Sequence, residues 1–442
     1  MSRPQSEPRG RPDTGGLPAG PRLLYADAGG RILDCPELEA IGAAAGRWRR
    51  LPDGEWLGLP SGSELFLLPE RLPVGYNPRS GSFQVLDRDP RDGGPVSAVA
   101  AFLAPAYTQL ASAAYVRAGE APPLPLFAYT AAGWGAEGFV AAGLRVDPDP
   151  RQDFERFDPD EVARRTRQRL AREPGNRLLQ HLGRCSLEYG CPAARNLFLG
   201  RWEAPLPTSP TCNARCLGCI SLQERSGVCA TQERIDFVPT VEEVCGVAVP
   251  HLERAPRAVA SFGQGCEGEP LMQWRLLEQS ARRVRRATAR GTLNLNTNAS
   301  LGEPLTRLRD AGLDSIRVSL NSCRPLYYRR YYRPRGYELP DVRRAAAGFK
   351  AAGGFVSLNY FVLPGFTDEP QELEALCAFL GESGADLIQL RNLNIDPEWY
   401  LSGIGHAPEE EPLGILVWLA LLRKRFPSLA FGYYNPCLDP GA

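Results

Sequence analysis

The rhythm of apolar and polar positions changes twice along the chain. Over residues 21–84, short apolar runs such as Arg22-Leu23-Leu24-Tyr25, Gly29-Gly30-Arg31-Ile32-Leu33 and Glu64-Leu65-Phe66-Leu67-Leu68 are broken by turn residues, which predicts a small strand-rich region. Residues 96–146 continue with apolar runs of no fixed period, including Phe102-Leu103-Ala104, and these suit helix and strand alike. Residues 158–172 predict a helix capped by Asp158 with Pro159 in its first turn, and a second helix covers 176–187 and resumes near Ala193. Residues 202–210 are proline-rich and predict an extended linker.

From Thr211 onward, apolar strands alternate with amphipathic helices. The predicted strands are 258–263, 292–297, 315–320, 356–363 and 386–393, with helical patterns over 271–289, 340–352 and 369–382 between them. A further helix at 412–426 precedes a strand-like 429–434. Repeated strand–helix units build a parallel sheet, and functional groups in such folds gather at the C-terminal ends of the strands.

Composition narrows the class. At 442 residues, 43% hydrophobic and 23% charged, the chain has a globular balance and is too long for one ordinary core. It shows no transmembrane pattern, and its start is rich in Pro, Gly and Arg, so a disordered lead-in over 1–20 and a cytoplasmic location are expected. With 51 basic and 51 acidic residues, overall charge does not favour nucleic acid or anionic lipid. Twelve cysteines in a reducing compartment point away from a disulfide framework.

One cysteine cluster stands apart. Cys212-Asn213-Ala214-Arg215-Cys216-Leu217-Gly218-Cys219 places three thiolates in eight residues, on a loop ahead of the strand–helix array. Thiolates select zinc or iron–sulfur, and structural zinc wants four ligands. Three ligands in one loop leave a coordination position open.

This C-x3-C-x2-C spacing ahead of strand–helix units resembles the radical S-adenosylmethionine (radical SAM) enzyme family. The resemblance implies an α/β fold, a partial (β/α)6 TIM-like barrel over 206–400. An N-terminal accessory α+β domain at 21–205 and a C-terminal extension at 401–442 would flank it. It also implies a [4Fe-4S] cluster on Cys212, Cys216 and Cys219 whose fourth iron chelates S-adenosylmethionine. One electron then cleaves the cofactor to methionine and a 5′-deoxyadenosyl radical, which abstracts hydrogen from substrate.

Later strand ends extend the likeness. Gly265-Cys266-Glu267-Gly268-Glu269-Pro270 is similar to the family's glycine–glutamate–proline turn, which implies that Gly268 and Glu269, and less directly Glu267, receive the methionine ammonium. Asn296-Thr297-Asn298 resembles the T-N-G strand ending. Ser319 and Asn321 stand where ribose and carboxylate contacts are expected, and Asn359 to Asp368 resembles the turn beside the adenine. Arg391 would clamp the methionine carboxylate. Two positions depart from the pattern: Gly218 where an aromatic residue is usual, and Ala299 where glycine is usual.

Other residues carry weaker expectations. Cys323 follows the fourth predicted strand and is a candidate hydrogen donor or substrate-adduct site, whereas Cys266 reads as a small residue in a tight turn. Cys185 and Cys191 could join Cys229 or Cys437 in an auxiliary cluster, but their spacing matches no compact four-cysteine signature, and burial is the expectation. His181, His251 and His406 stand alone in sequence. The Arg/Tyr segment 324–337 suits a cavity wall, an RNA contact or a solvated helix face. A reductant protein such as flavodoxin or ferredoxin is the expected partner, and the substrate is open. The contrasting reading is a non-catalytic iron–sulfur or zinc protein that acts as a binding module, with RNA as one partner.

Overall fold

A computed structural model describes residues 20–223, 227–408 and 410–439. The expected lead-in at 1–20 lies, but for Gly20, outside the described residues. A seven-stranded parallel sheet forms the larger layer, its strands in strict sequence order: β1 (Glu203–Leu206), β2 (Val259–Phe262), β3 (Thr292–Thr297), β4 (Ser315–Leu320), β5 (Phe355–Val362), β6 (Leu387–Asn392) and β7 (Ala430–Gly432). The sheet ends on β1 and β7 without pairing them, so it is an open, partial barrel.

Three helices precede the sheet, α1 (Pro159–Arg172), α2 (Arg177–Leu187) and α3 (Pro192–Leu199). The crossovers carry α4 (Val241–Arg254), α5 (Trp274–Ala287), α6 (Gly302–Asp310), α7 (Pro325–Tyr332), α8 (Leu339–Ala351), α9 (Pro370–Ser383), α10 (Pro397–Ile404) and α11 (Ile415–Arg425). Several begin at a side-chain cap: Asp158 before α1, Asn176 before α2 and Asp396 before α10. In α4, Thr240 Oγ1 accepts the Glu243 amide at 3.2 Å while the Glu243 carboxylate accepts the Thr240 amide at 2.7 Å, a reciprocal cap. Strands β2 and β3 are buried along their whole length, as a sheet covered on both faces requires.

Two boundaries differ from the sequence reading. The segment expected to be a linker supplies β1, and the expected C-terminal extension supplies β7. Pro205 masks the first of these. A proline lacks an amide proton, but β1 pairs only with β2, and an edge strand tolerates that loss.

Residues 22–145 fold into antiparallel strands, eleven of them in one sheet around Arg22–Ala26. The ambiguous residues 96–146 are strands and loops. This layer docks at the C-terminal ends of β5 and β6. Thr108 Oγ1 donates to the Leu390 carbonyl at 3.0 Å, Gln109 Nε2 to the Val362 carbonyl at 3.1 Å, and the Gln109 amide to Asn392 Oδ1 at 2.9 Å. A buried ion pair, Arg71 to Asp396 at 3.2 Å, locks the same contact. No helix among the described residues is long and apolar enough to cross a membrane.

Candidate cofactor site

The cysteine loop leaves β1 under restraint on both sides. Glu267, at the end of β2, accepts the amides of Thr208 and Ser209 at 2.7 and 3.0 Å. Beyond it, the Gly268 amide donates to the Ser209 carbonyl at 2.7 Å and the Glu269 amide to the Thr211 carbonyl at 2.9 Å. The two segments run so close that a Cβ at Gly268 would sit 2.1 Å from the Thr211 oxygen, which explains the glycine. On the opposite side, the Arg215 and Leu217 amides each donate at 2.9 Å, to the Tyr332 and Tyr331 carbonyls. Asn298 Nδ2 reaches Asn213 Oδ1 at 2.8 Å, tying the end of β3 to the same loop.

Cys212, Cys216 and Cys219 all line one cavity of about 330 Å³, within the range of small-ligand sites. Burial, with the charge of Glu269 added, pushes the Cys212 thiol up to about 11. Burial and the neighbouring Cys219 and Cys212 push Cys216 well above its ordinary value. Such thiols become thiolates when a metal compensates the charge. Arg234 Nη2 lies 3.4 Å from Cys219 Sγ and supplies a positive partner.

Strand ends complete the wall. Gly268, Glu269, Asn296, Asn298, Ser319 and Arg391 line the same cavity as the cysteines. Glu269 accepts Thr297 Oγ1, the Asn298 amide and the Leu271 amide, yet burial still lifts its carboxyl to about 7. A cation placed there would favour the ionised form. Asn296 is already committed, donating to the Gly263 carbonyl at 2.6 Å and accepting Asn294 Nδ2 at 2.8 Å. It serves as a polar floor. Arg391 stacks 3.9 Å over the Tyr433 ring and donates to the Tyr433 carbonyl.

Two sequence-derived candidates lie elsewhere. Asn321 falls one residue past the end of β4 and turns away from the cavity, its amide donating to Tyr400 Oη at 3.1 Å and the Tyr327 carbonyl at 3.3 Å. Cys323 is buried beside Glu372, which accepts its backbone amide at 2.7 Å, and it is not among the cavity-lining residues.

The structure adds Arg317, Asn359, Tyr331, Tyr332 and Phe361 to the wall. Arg317 shares a strand face with Ser319, a relation visible in the two-residue alternation of β4. Burial and the nearby Arg391 lower the Arg317 guanidinium to about 9. Its Nε and Asn359 Oδ1 are buried polar atoms with no partner among the described residues, and both border the cavity. A paired arginine set with an open donor fits a carboxylate, and the open Asn359 oxygen fits a hydroxyl.

Both departures in the motif have a local account. A Cβ at Gly218 would meet Tyr331 Oη and Ile395 Cδ1 at 3.3 Å, and the aromatic wall comes from Tyr331, Tyr332 and Phe361 instead. Ala299 takes the left-handed conformation, φ 53°, that glycine adopts more easily. The Arg/Tyr segment divides its labour: Tyr327, Tyr328, Tyr331 and Tyr332 are buried, while Arg329 pairs with Glu338 at the surface.

The family model described as the Radical SAM superfamily matches residues 206–377. A comparison with curated proteins finds no match. Among solved structures, the chain is similar to native anSMEcpe with bound AdoMet, at 19% identity and TM-score 0.33, over 43% of this chain and 51% of that one. It is similar to methylornithine synthase (PylB) at 14% identity and TM-score 0.35, over 62% and 77% of the two chains. A radical SAM methyltransferase from Sphaerobacter thermophilus matches at 16% identity and TM-score 0.37, over 52% and 64%. The match thus spans about half the length of the first of these.

Proposed function

From the match of residues 206–377 to the radical SAM superfamily model, we propose that the chain is an enzyme that cleaves S-adenosylmethionine reductively and abstracts hydrogen from a substrate. The observation that carries this reading is a single cavity lined by all three loop cysteines and by the ends of successive strands β2 to β6. When bound, the four-iron cluster and S-adenosylmethionine would supply the electron transfer and the 5′-deoxyadenosyl radical.

The residues divide the work by chemistry. Cys212, Cys216 and Cys219 would hold the cluster. Glu269 neutralises an ammonium group, and the Gly268 backbone, freed of a Cβ, permits close approach. Arg317 and Arg391 orient a carboxylate, Ser319 and Asn359 take ribose hydroxyls, and Tyr331, Tyr332 and Phe361 exclude water and stack on a flat base. A binding module without chemistry would have no need of so many different groups around one space.

The outer face of the cysteine loop supports a reductant partner. A second cavity of about 570 Å³ there is lined by Arg215, Arg234, Arg333 and Arg335 together with the three cysteines. Four arginines beside the cluster ligands suit an acidic electron-donor protein, such as flavodoxin or ferredoxin, brought close to the electron acceptor. The accessory layer, docked through Thr108 and Gln109 where β5 and β6 end, is placed to meet the substrate.

The test is spectroscopic. Anaerobic reconstitution with iron and sulfide should give a reducible cluster whose electron paramagnetic resonance signal changes on adding S-adenosylmethionine. A cluster whose signal ignores the cofactor would refute the reading.

A further inference from the structure

A second set of soft ligands lies behind the cofactor turn. His181 and Cys185 stand one turn apart on α2, which puts them on the same face. Cys191 caps the start of α3, and its amide donates to the Cys185 carbonyl at 2.9 Å. Cys266 arrives from the turn after β2. His181 Nε2 is 3.7 Å from Cys185 Sγ, and one ligand atom each from His181, Cys185 and Cys266 lie within 4.8 Å of one another. Cys191 packs against the same small cluster, and all three thiols are free.

We propose that His181, Cys185 and Cys266 form a mononuclear zinc site distinct from the cluster loop, with Cys191 packed beside it. These three ligand atoms lie within 4.8 Å of one another, close to the spacing of about 3.3–3.8 Å that zinc bond lengths set between the ligands of one tetrahedral ion. Imidazole with thiolates is a donor set that zinc takes readily. With three protein ligands, water or the adjacent Cys191 would complete the coordination of the ion.

Its placement gives it a task. Cys266 immediately precedes Glu267, which pins Thr208 and Ser209 at the root of the cysteine loop. Zinc would staple α2 to this turn and so fix the loop's starting point. His181 also borders a surface cavity of about 770 Å³ with Arg184, Tyr189 and Ser221, which offers the ion a way in.

The experiment uses the full chain carrying Cys212→Ala, Cys216→Ala and Cys219→Ala, so that no metal can reside on the cluster loop. This variant should keep roughly one zinc per chain by mass spectrometry after a brief chelator wash, as structural zinc binds tightly. Cobalt(II) in its place should show thiolate charge-transfer and tetrahedral ligand-field bands. Adding Cys185→Ser and Cys266→Ser should abolish both. His181→Ala, which leaves every buried thiol in place, should weaken zinc against a competing chelator by about tenfold or more, the scale on which a lost ligand contact acts. The proposal is overturned if the loop variant, folded by circular dichroism, binds neither zinc nor cobalt. It is equally overturned by iron with sulfide at the site, or by a Cys185–Cys266 disulfide in freshly isolated protein.

Discussion

The Glu269 carboxylate accepts the backbone amide of Asn298 at 2.8 Å, joining the end of β2 to the end of β3 across the cavity. The same strand ends hold the cysteine loop, β2 through Gly268 and β3 through Asn298 to Asn213. The cofactor wall and the cluster loop are therefore one mechanical unit, and disturbing either should be read in the other.

Gly268→Ala tests that coupling. The new methyl would meet the Thr211 carbonyl at 2.1 Å, and both partners are backbone. The loop must shift, at a cost of about 1–3 kcal/mol, as for other overpacked sites. Reconstituted iron per chain should fall well below wild type, measured beside the melting temperature. Full iron loading would show that the close approach is not needed.

Arg317→Gln should weaken S-adenosylmethionine binding. A charge-assisted hydrogen bond contributes about 1.5–3 kcal/mol, which corresponds to a dissociation constant raised roughly tenfold to a hundredfold. Arg391→Gln should have the smaller effect, because its guanidinium is partly engaged by Tyr433. Equilibrium dialysis on the cluster-loaded protein ranks the two.

Asp396→Ala removes the partner of Arg71, which is only 1% exposed. It also removes the acceptor of the Leu124 amide and the cap of α10. Breaking a buried pair on one side costs about 3–5 kcal/mol. The expected outcome is a large drop in stability with earlier proteolysis of the docked N-terminal layer.

How much of this was legible in the sequence depends on distance along the chain. The cysteine loop and the strand endings are local patterns, and they name most of the cavity wall. Strand β1 was hidden by its four-residue length and by Pro205, which an edge position tolerates. Residues 96–146 mix strands of only two or three residues with longer ones, Ser97–Phe102 and Gly138–Arg145, in which alanine and glycine blur the alternation. Asn321 was misplaced because alternation holds only while the strand lasts, and β4 ends at Leu320. The cluster of His181, Cys185, Cys191 and Cys266 depends on a long-range contact that no spacing rule exposes.

Acid sensitivity should come in part from His251. Its Nε2 hydrogen-bonds the Trp202 carbonyl at 2.9 Å, just before β1, and burial lowers it from its ordinary 6.5 to about 4. The folded state thus favours the neutral ring, so this stability is complete above pH 6.5 and is lost as pH falls toward 4. The slope is at most about 1.4 kcal/mol per pH unit for one proton. Melting temperatures of wild type and His251→Gln across that window should converge as pH falls. Parallel curves would assign the sensitivity to other groups.

The most direct measurement is product formation by the reconstituted chain under anaerobic conditions with dithionite and S-adenosylmethionine. The account predicts 5′-deoxyadenosine and methionine in equal amounts from wild type, and none above background from Cys216→Ala. Wild type giving no more 5′-deoxyadenosine than that variant, with its cluster loaded and reduced, would contradict it.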